Sequence, residues 1–514
     1  MPEEIVQKKK EWNYLKALSP LFLISLLSCG MSLYYLSLNP DHVLVFDDSY
    51  ITLKFASNFF KFGGITYDGT SYFSGATSPL HIVFIALLGL FLEIETASLV
   101  VGIAFFIFSS LLVYLWAFRI YEDRKIALLA GVMMSTSGWV IFDSLSGLET
   151  TTFMFFSLLT LYTFSIHENR LLYITPLFLS VLTRPEGWFI ACSIWGWQFI
   201  QAVYHKDSSI FKRMVTSWIF FSMLMIPYLL LHLKATGSFL PNTAFAKAIF
   251  FGEGYLTLPR KGEFFKDGVE LFYKKLLYPA PILIVPLILF SRKLISMPYL
   301  WFYCIMFYAV YLLTFPGATG HYWCRYQHIF IPIIIIAISS GAFELLKKCK
   351  KKASRISMVA LIISSLVYNQ SVSFVSAENT YSGATNCTKR SLLNLALWLN
   401  RHTHKDSLIA LHDIGAVGYF SDRGVLDLVG LVNPEVSKYY RDKHLEGALP
   451  LSKRRVIDYL KVKEPNYLVL FPGWDRYFNF FRPDNKKHFK QVYTSRPLFP
   501  TGVRYKVFKC NWEL

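Results

Sequence analysis

The chain has 514 residues, 54% of them hydrophobic and 17% charged, with a formal net charge of +18 at pH 7. It is too apolar and too long for one water-soluble core, which excludes an ordinary soluble enzyme and indicates a polytopic membrane protein. Nucleic acid is excluded as the reason for the basic excess, because the lysines and arginines cluster between apolar runs, as at KKCKKK (Lys347 to Lys352), where cytoplasmic loops carry them.

In chain order, Lys8 to Lys10 precede an apolar run from about Ala17 to Leu38. The run is too long for a signal-peptide core and has no small-residue cleavage site, so it reads as a signal anchor with the N-terminus inside. FDDSYITLKFASNFFKF follows, from Phe46 to Phe62. Read as a helix, it places Ile51, Phe55, Phe59 and Phe62 on one stripe and Lys54, Ser57, Asn58 and Lys61 on the opposite one, the pattern of a helix lying along a membrane surface. Gly63-Gly64 would stop it. Asp47 and Asp48 then fall at its N-terminal end, where unpaired N–H groups and the macrodipole favour negative charge. One capping carboxylate accounts for one Asp, not two.

The run from Pro79 to about Leu92, about fourteen residues, is short for a crossing and reads as re-entrant or interfacial, with Ser78 as cap and Pro79 at the first helical position. Further spans are expected at 97–118, 126–142, 150–166, 171–183, 187–203, 214–234, 276–291, 298–315, 328–346 and 356–370, about eleven in all with the anchor. This count leaves the basic loops around Arg119–Lys125, Arg170, Lys206–Arg213, Arg292–Lys293 and Lys347–Arg355 inside. It leaves 39–97 as a first external loop with two membrane-hugging helices. Residues 1–369 form the membrane domain. Residues 370–514, with strand-like SLIAL and NYLVLF between helical SLLNLALWLN and KRRVIDYL, read as an external α/β domain. The seven cysteines have no metal-type spacing, and a Cys387–Cys510 disulfide is open to an external domain.

The unusual polar residues all fall outside: Asp47-Asp48, SGATSP (Ser74–Pro79), Asp143 with SGLET (Ser146–Thr150), TRPEG (Thr183–Gly187), LPNTAFAK (Leu240–Lys247) and HYWCRYQH (His321–His328). Each has a plainer reading. Ser146-x-x-Glu149 and Thr183-x-x-Glu186 match capping boxes, Arg184 and Arg325 can snorkel, His321 and His328 can be interfacial, and Pro241-Asn242-Thr243 can be a turn. A flippase or transporter would need broken helices or charges at mid-membrane, and a non-enzymatic envelope assembly protein would use the spans only as an anchor.

DDSYITLKFASN, GGITY, GATSPL, SGLET, TRPEG, LPNTAFAK and CRYQ, in that order, together resemble the polyprenyl-phosphate-sugar-dependent membrane glycosyltransferases of the GT-C fold. The variety most resembled is that of the mycobacterial terminal arabinofuranosyltransferases and their bacterial relatives. HDIGAVGYFSDRGVLDLVGLVNPEV (His412–Val436) is similar to the C-terminal domain of that group; Lys54 departs from it, standing where relatives usually carry Arg. The resemblance implies sugar transfer, with inversion, from a polyprenyl-phosphate donor to a glycan, lipid or protein acceptor on the extracytoplasmic face of the bacterial cytoplasmic membrane. It implies Asp47 as general base, Asp48 orienting it, binding a sugar hydroxyl or sharing a divalent cation (Mg, Mn or Ca) with Asp47, and Asp143 as a second acid. Lys54, Arg184, Lys247 and Arg325 are then phosphate contacts, and Glu186, Asn242 and His321 substrate contacts.

Overall fold

The computed structural model describes residues 3–166, 171–239, 243, 246, 250, 256–277, 291–440, 455–497 and 503–513. The expected span at 276–291 falls almost wholly outside these, as do Asn242 and Lys247.

Helices stand where the remaining spans are expected. They are α1 (Glu3–Ser37), and, after two helices in the first loop, α2 (Asp47–Lys61) and α3 (Pro79–Leu88), α4 (Ile94–Tyr121), α5 (Arg124–Ser135), α6 (Gly138–Ser144), α7 (Thr150–Ile166), α8 (Ile174–Thr183), α9 (Gly187–His205) and α10 (Ser208–Thr236). Further along come Pro298–Thr314, Ile331–Lys348 and Lys352–Thr388. The span expected at 126–142 is broken, since α5 and α6 meet at 54°. There the Thr136 hydroxyl donates back to the Val132 carbonyl at 3.0 Å, a bond that competes with the helix ladder. Among the described residues five helices are long and apolar enough to cross a bilayer, six if the bent pair is one span. The chain is an integral membrane protein. Asp123 and Asp207 cap α5 and α10, accepting from Lys125 N at 2.8 Å and Ser209 N at 2.7 Å.

The first loop holds its two helices as expected. α2 ends at Lys61 before Gly63, whose φ of 72° suits glycine. Pro79 opens α3, although the Ser78 side chain makes no capping bond. One expectation is corrected: the polar stripe of α2 is not bare. Asn58 is buried and donates to the carbonyls of Thr66 and Tyr67 at 3.2 and 2.8 Å, so it stitches the GGITY turn to the helix. Tyr50, also buried, packs on Tyr419 and Phe420 of the C-terminal domain, with ring centroids 5.8 and 5.1 Å apart.

The helix Lys352–Thr388 runs unbroken past residue 369 and continues through a π turn (Lys389–Leu393) into Asn394–His402. Beyond it lies a five-stranded sheet of order β2-β1-β3-β5-β4. Its strands are β1 (Leu408–Leu411), β2 (Gly424–Asp427), β3 (Tyr467–Leu470), β4 (Phe489–Thr494) and β5 (Lys506–Cys510). β1 pairs in parallel with β2 and β3, while β5 is antiparallel to β3 and β4. SLIAL and NYLVLF are thus central parallel strands, covered by apolar neighbours, which is why they read as short continuous apolar runs. Neither Cys387 nor Cys510 is in a disulfide, so the expected bridge is not formed.

Candidate active site

The head of α2 is where the membrane bundle, the first loop and the C-terminal domain meet. The Ser49 hydroxyl donates to the Ser146 carbonyl of SGLET at 2.5 Å, and the Ser74 hydroxyl of SGATSP donates to the Val432 carbonyl at 3.0 Å. Asp427, at the end of β2, shapes that second contact by accepting from Val429 N and Val432 N at 2.7 and 2.9 Å. Motifs far apart in sequence are therefore bonded to one another.

Asp47 lies in the first turn of α2, yet it does not cap its own helix. Its two carboxylate oxygens accept from Gly415 N and Ala416 N, both at 2.8 Å, at the start of the helix Gly415–Phe420. That approach needs glycine: a Cβ on Gly415 would stand 1.8 Å from the Asp47 carbonyl oxygen. A Cβ on Gly418 would stand equally close, 1.8 Å, to the Tyr67 hydroxyl, which donates to the Ile414 carbonyl at 2.6 Å. Burial, then the charge of Asp413, push the Asp47 carboxyl well above its ordinary value, against the pull of the two amides.

Asp413 is a site residue the sequence reading missed. It is the second residue past β1, accepts a short hydrogen bond from the Tyr505 hydroxyl, and lies 3.1 Å from His412 Nε2. Burial works against its charge, but His412 and Tyr505 outweigh that and hold its carboxyl below the ordinary value.

The cationic side is built by SGLET, TRPEG and CRYQ. Arg184 Nη1 donates to Glu149 Oε1 at 2.7 Å, and Arg184 Nη2 donates to Glu186 Oε1. Tyr311 donates to the same Glu186 oxygen at 2.6 Å. The two glutamates are thus corrected from caps to ion-pair partners, a pairing no local spacing announces. Arg184 is consumed by them and lies over the Tyr326 ring, 4.5 Å from its centroid. Arg325 differs. It is buried, its nearest carboxylate oxygen is Glu149 Oε1 at 3.8 Å from Nη1, and its Nε and Nη1 make no hydrogen bond. Burial pushes the Glu149 carboxyl up, but Arg325 and Arg184 override it and hold it down at about 2.

Arg325 is aimed by an unusual turn. Tyr322, Trp323 and Cys324 all have positive φ, 46°, 56° and 69°, a left-handed stretch that costs roughly 1–2 kcal/mol per non-glycine residue. The Tyr322 ring stacks on Phe46, immediately before Asp47, with centroids 4.1 Å apart. Its hydroxyl lies within electrostatic reach of Asp48, Asp47, Asp413 and Arg325. The His321 ring packs against the Tyr322 ring at a tilt of 41°, with centroids 3.9 Å apart.

Two expected site residues stand apart. Asp143 is fully buried on α6, with its Oδ2 2.7 Å from His328 Nδ1. Lys54 is half-buried with Asp422 and Lys61 as its charged neighbours, not the arginines; burial lowers its pKa. For the divalent cation, no three His, Cys, Asp or Glu side chains converge among the described residues, and both Asp47 oxygens are bonded to amides. Asp47 and Asp48 do not fit a metal centre in this arrangement.

A family described as a domain of unknown function (DUF8728) matches residues 378–508. No curated protein matches the sequence. Among solved structures, the apo form of ArnT from Cupriavidus metallidurans is similar with a TM-score of 0.57 at 10% identity, covering 98% of this chain and 99% of that one. The same protein bound to undecaprenyl phosphate gives 0.56 at 11% identity, over 97% and 98% of the two chains. The archaeal oligosaccharyltransferase AglB from Archaeoglobus fulgidus, in complex with an inhibitory peptide and a dolichol-phosphate, gives 0.57 at 14% identity, over 98% of this chain and 75% of that one. The chain has the fold of these membrane glycosyltransferases, the GT-C fold, with a small C-terminal sheet.

Proposed function

We propose that this protein moves a sugar from a polyprenyl-phosphate donor to a hydroxyl of a cell-envelope glycan, lipid or protein, inverting the anomeric carbon. Its site and C-terminal domain face outward from the bacterial cytoplasmic membrane. The observation that carries the reading is Arg325, a buried guanidinium with two N–H-bearing nitrogens left without hydrogen bonds, beside Tyr322 and near a group of carboxylates. A phosphate monoester leaving a sugar needs such a cation, and Arg grips phosphate through parallel N–H bonds. Arg184 orders the site by neutralising Glu186 and Glu149. The likeness to ArnT bound to undecaprenyl phosphate supports a lipid-phosphate donor. The motif resemblance puts arabinofuranosyl donors among those to try first.

The test is turnover by the purified full-length chain in lipid nanodiscs, offered a panel of polyprenyl-phosphate sugars, with released polyprenyl phosphate as the readout. Release by the wild type is expected, with a roughly 10²–10³-fold lower rate for Arg325→Gln, the usual loss when one donor to a developing anion is removed. No release from any donor would reject the reading.

A further inference from the structure

The sequence points to Asp47 as proton acceptor, but the geometry gives Asp47 another task. Both of its oxygens are directed at backbone amides of the Gly415–Phe420 helix, and freeing either would undock that helix from α2. Asp413 stands two residues before those amides, just past the carboxyl end of the central strand β1, the place where open α/β sheets receive ligands. Its side chain keeps 28% of its surface accessible, whereas the His412 side chain beside it has none. His412 is stacked 4.1 Å from Trp474 and cannot turn away. The Tyr505 hydroxyl holds the same Asp413 oxygen that faces His412, which leaves the other oxygen for an incoming group.

We propose that Asp413, delivered by the C-terminal domain, accepts the proton of the acceptor hydroxyl, with His412 and Tyr505 as positioning residues and Asp47 as the anchor that docks the domain. The assignment rests on the glycosyltransferase reading. In the step, the acceptor oxygen forms a bond to the anomeric carbon and its proton passes to Asp413. The bond from that carbon to the phosphate oxygen breaks, and its electron pair leaves with polyprenyl phosphate beside Arg325. Asp413 and Arg325 both lie within electrostatic reach of the Tyr322 hydroxyl, which brings the base and the phosphate-binding cation into one site. Both Asp47 oxygens are taken by amides, whereas Asp413 keeps one oxygen clear of His412 and Tyr505, so of the two it is Asp413 that has an oxygen free to take a proton.

The experiment uses the full-length protein in nanodiscs with whichever donor the wild type consumes. Asp413→Asn should lower kcat by roughly 10²–10⁴-fold, leave the donor KM within about threefold and leave the thermal midpoint unchanged. Asp413→Ala should regain rate on adding formate, a small carboxylate that replaces a lost base and repairs no folding defect. Asp413→Asn turning over within about threefold of wild type would overturn the assignment while leaving the glycosyltransferase reading intact. Should Asp413→Asn unfold the domain, formate decides alone, and no rescue overturns it. A wild type inert towards every donor rejects the reading itself, and the assignment with it.

Discussion

At the residue scale, the site is organised by charges that find partners across the fold. Glu149 holds Arg184 at 2.7 Å and sits 3.8 Å from Arg325, all three side chains being less than a tenth exposed. Removing one member of such a buried group leaves uncompensated charge and costs about 3–5 kcal/mol, against about 1 kcal/mol for loss of a helix cap. Glu149→Gln is therefore expected to destabilise the protein by several kcal/mol, read as the shift in thermal midpoint of the purified protein. Its pH dependence has a definite sign. The folded-state value of about 2 lies below the ordinary 4.5, so the contribution is complete above about pH 4.5 and is lost as pH falls towards 2. The stability gap between wild type and Glu149→Gln should be constant from pH 5 to 7 and narrow below 4.5. A gap that widens on acidification contradicts the pairing.

At the element scale, the contact that matters joins α2 to the short helix Gly415–Phe420. Two glycines bring the backbones together, and Asp47 and Tyr67 close the contact with hydrogen bonds. Gly415→Ala forces a methyl against the main chain of Asp47, which cannot swing aside. A loss of about 1–3 kcal/mol, the usual cost of overpacking, is expected together with faster proteolysis between the bundle and the sheet. Gly424→Ala is the matched control, because its Cβ would meet a flexible Leu408 methyl at 3.3 Å and main-chain atoms no closer than the 3.5 Å of Ser407 O, an ordinary contact. Equal protease resistance in the two variants would mean that the domain is held elsewhere. The same contact explains why the stripe pattern of α2 was legible and its environment was not. Periodicity reports that two faces differ; it does not report that a turn later in the loop covers the polar one, as GGITY covers Asn58.

At the scale of the whole molecule, the basic loops and the C-terminal domain should lie on opposite sides of the membrane. In a chain with its cysteines replaced, Asp422→Cys on the sheet domain is expected to react with an impermeant maleimide in intact cells, while Lys350→Cys reacts only after permeabilisation. Equal reactivity of the two would refute the arrangement.

What the sequence determined by itself is what depends on local chemistry. Long apolar runs demand helices in a bilayer, because backbone polar groups have no other partner there. Hence α4 and α10 were legible from composition, and α3 was legible as too short to cross. Glycine and proline set the ends of α2 and α3, and the central parallel strands showed as continuous apolar runs. Ordered motifs marked which loops carry chemistry. The tertiary structure decided everything that depends on who meets whom. Ser146-x-x-Glu149 spells a capping box whether or not an arginine 35 residues on takes the carboxylate, and it does. Asp143 reads as an external acid until His328, 185 residues away, is found closing over it. Asp413 carried no signal of its own, since a lone HD pair after a strand is common; it became a candidate only when Asp47, 366 residues earlier, was seen bonded to the amides beside it. Hydrogen bonds and ion pairs act over about 3–4 Å, and sequence spacing bounds such distances only within a helix turn or a hairpin.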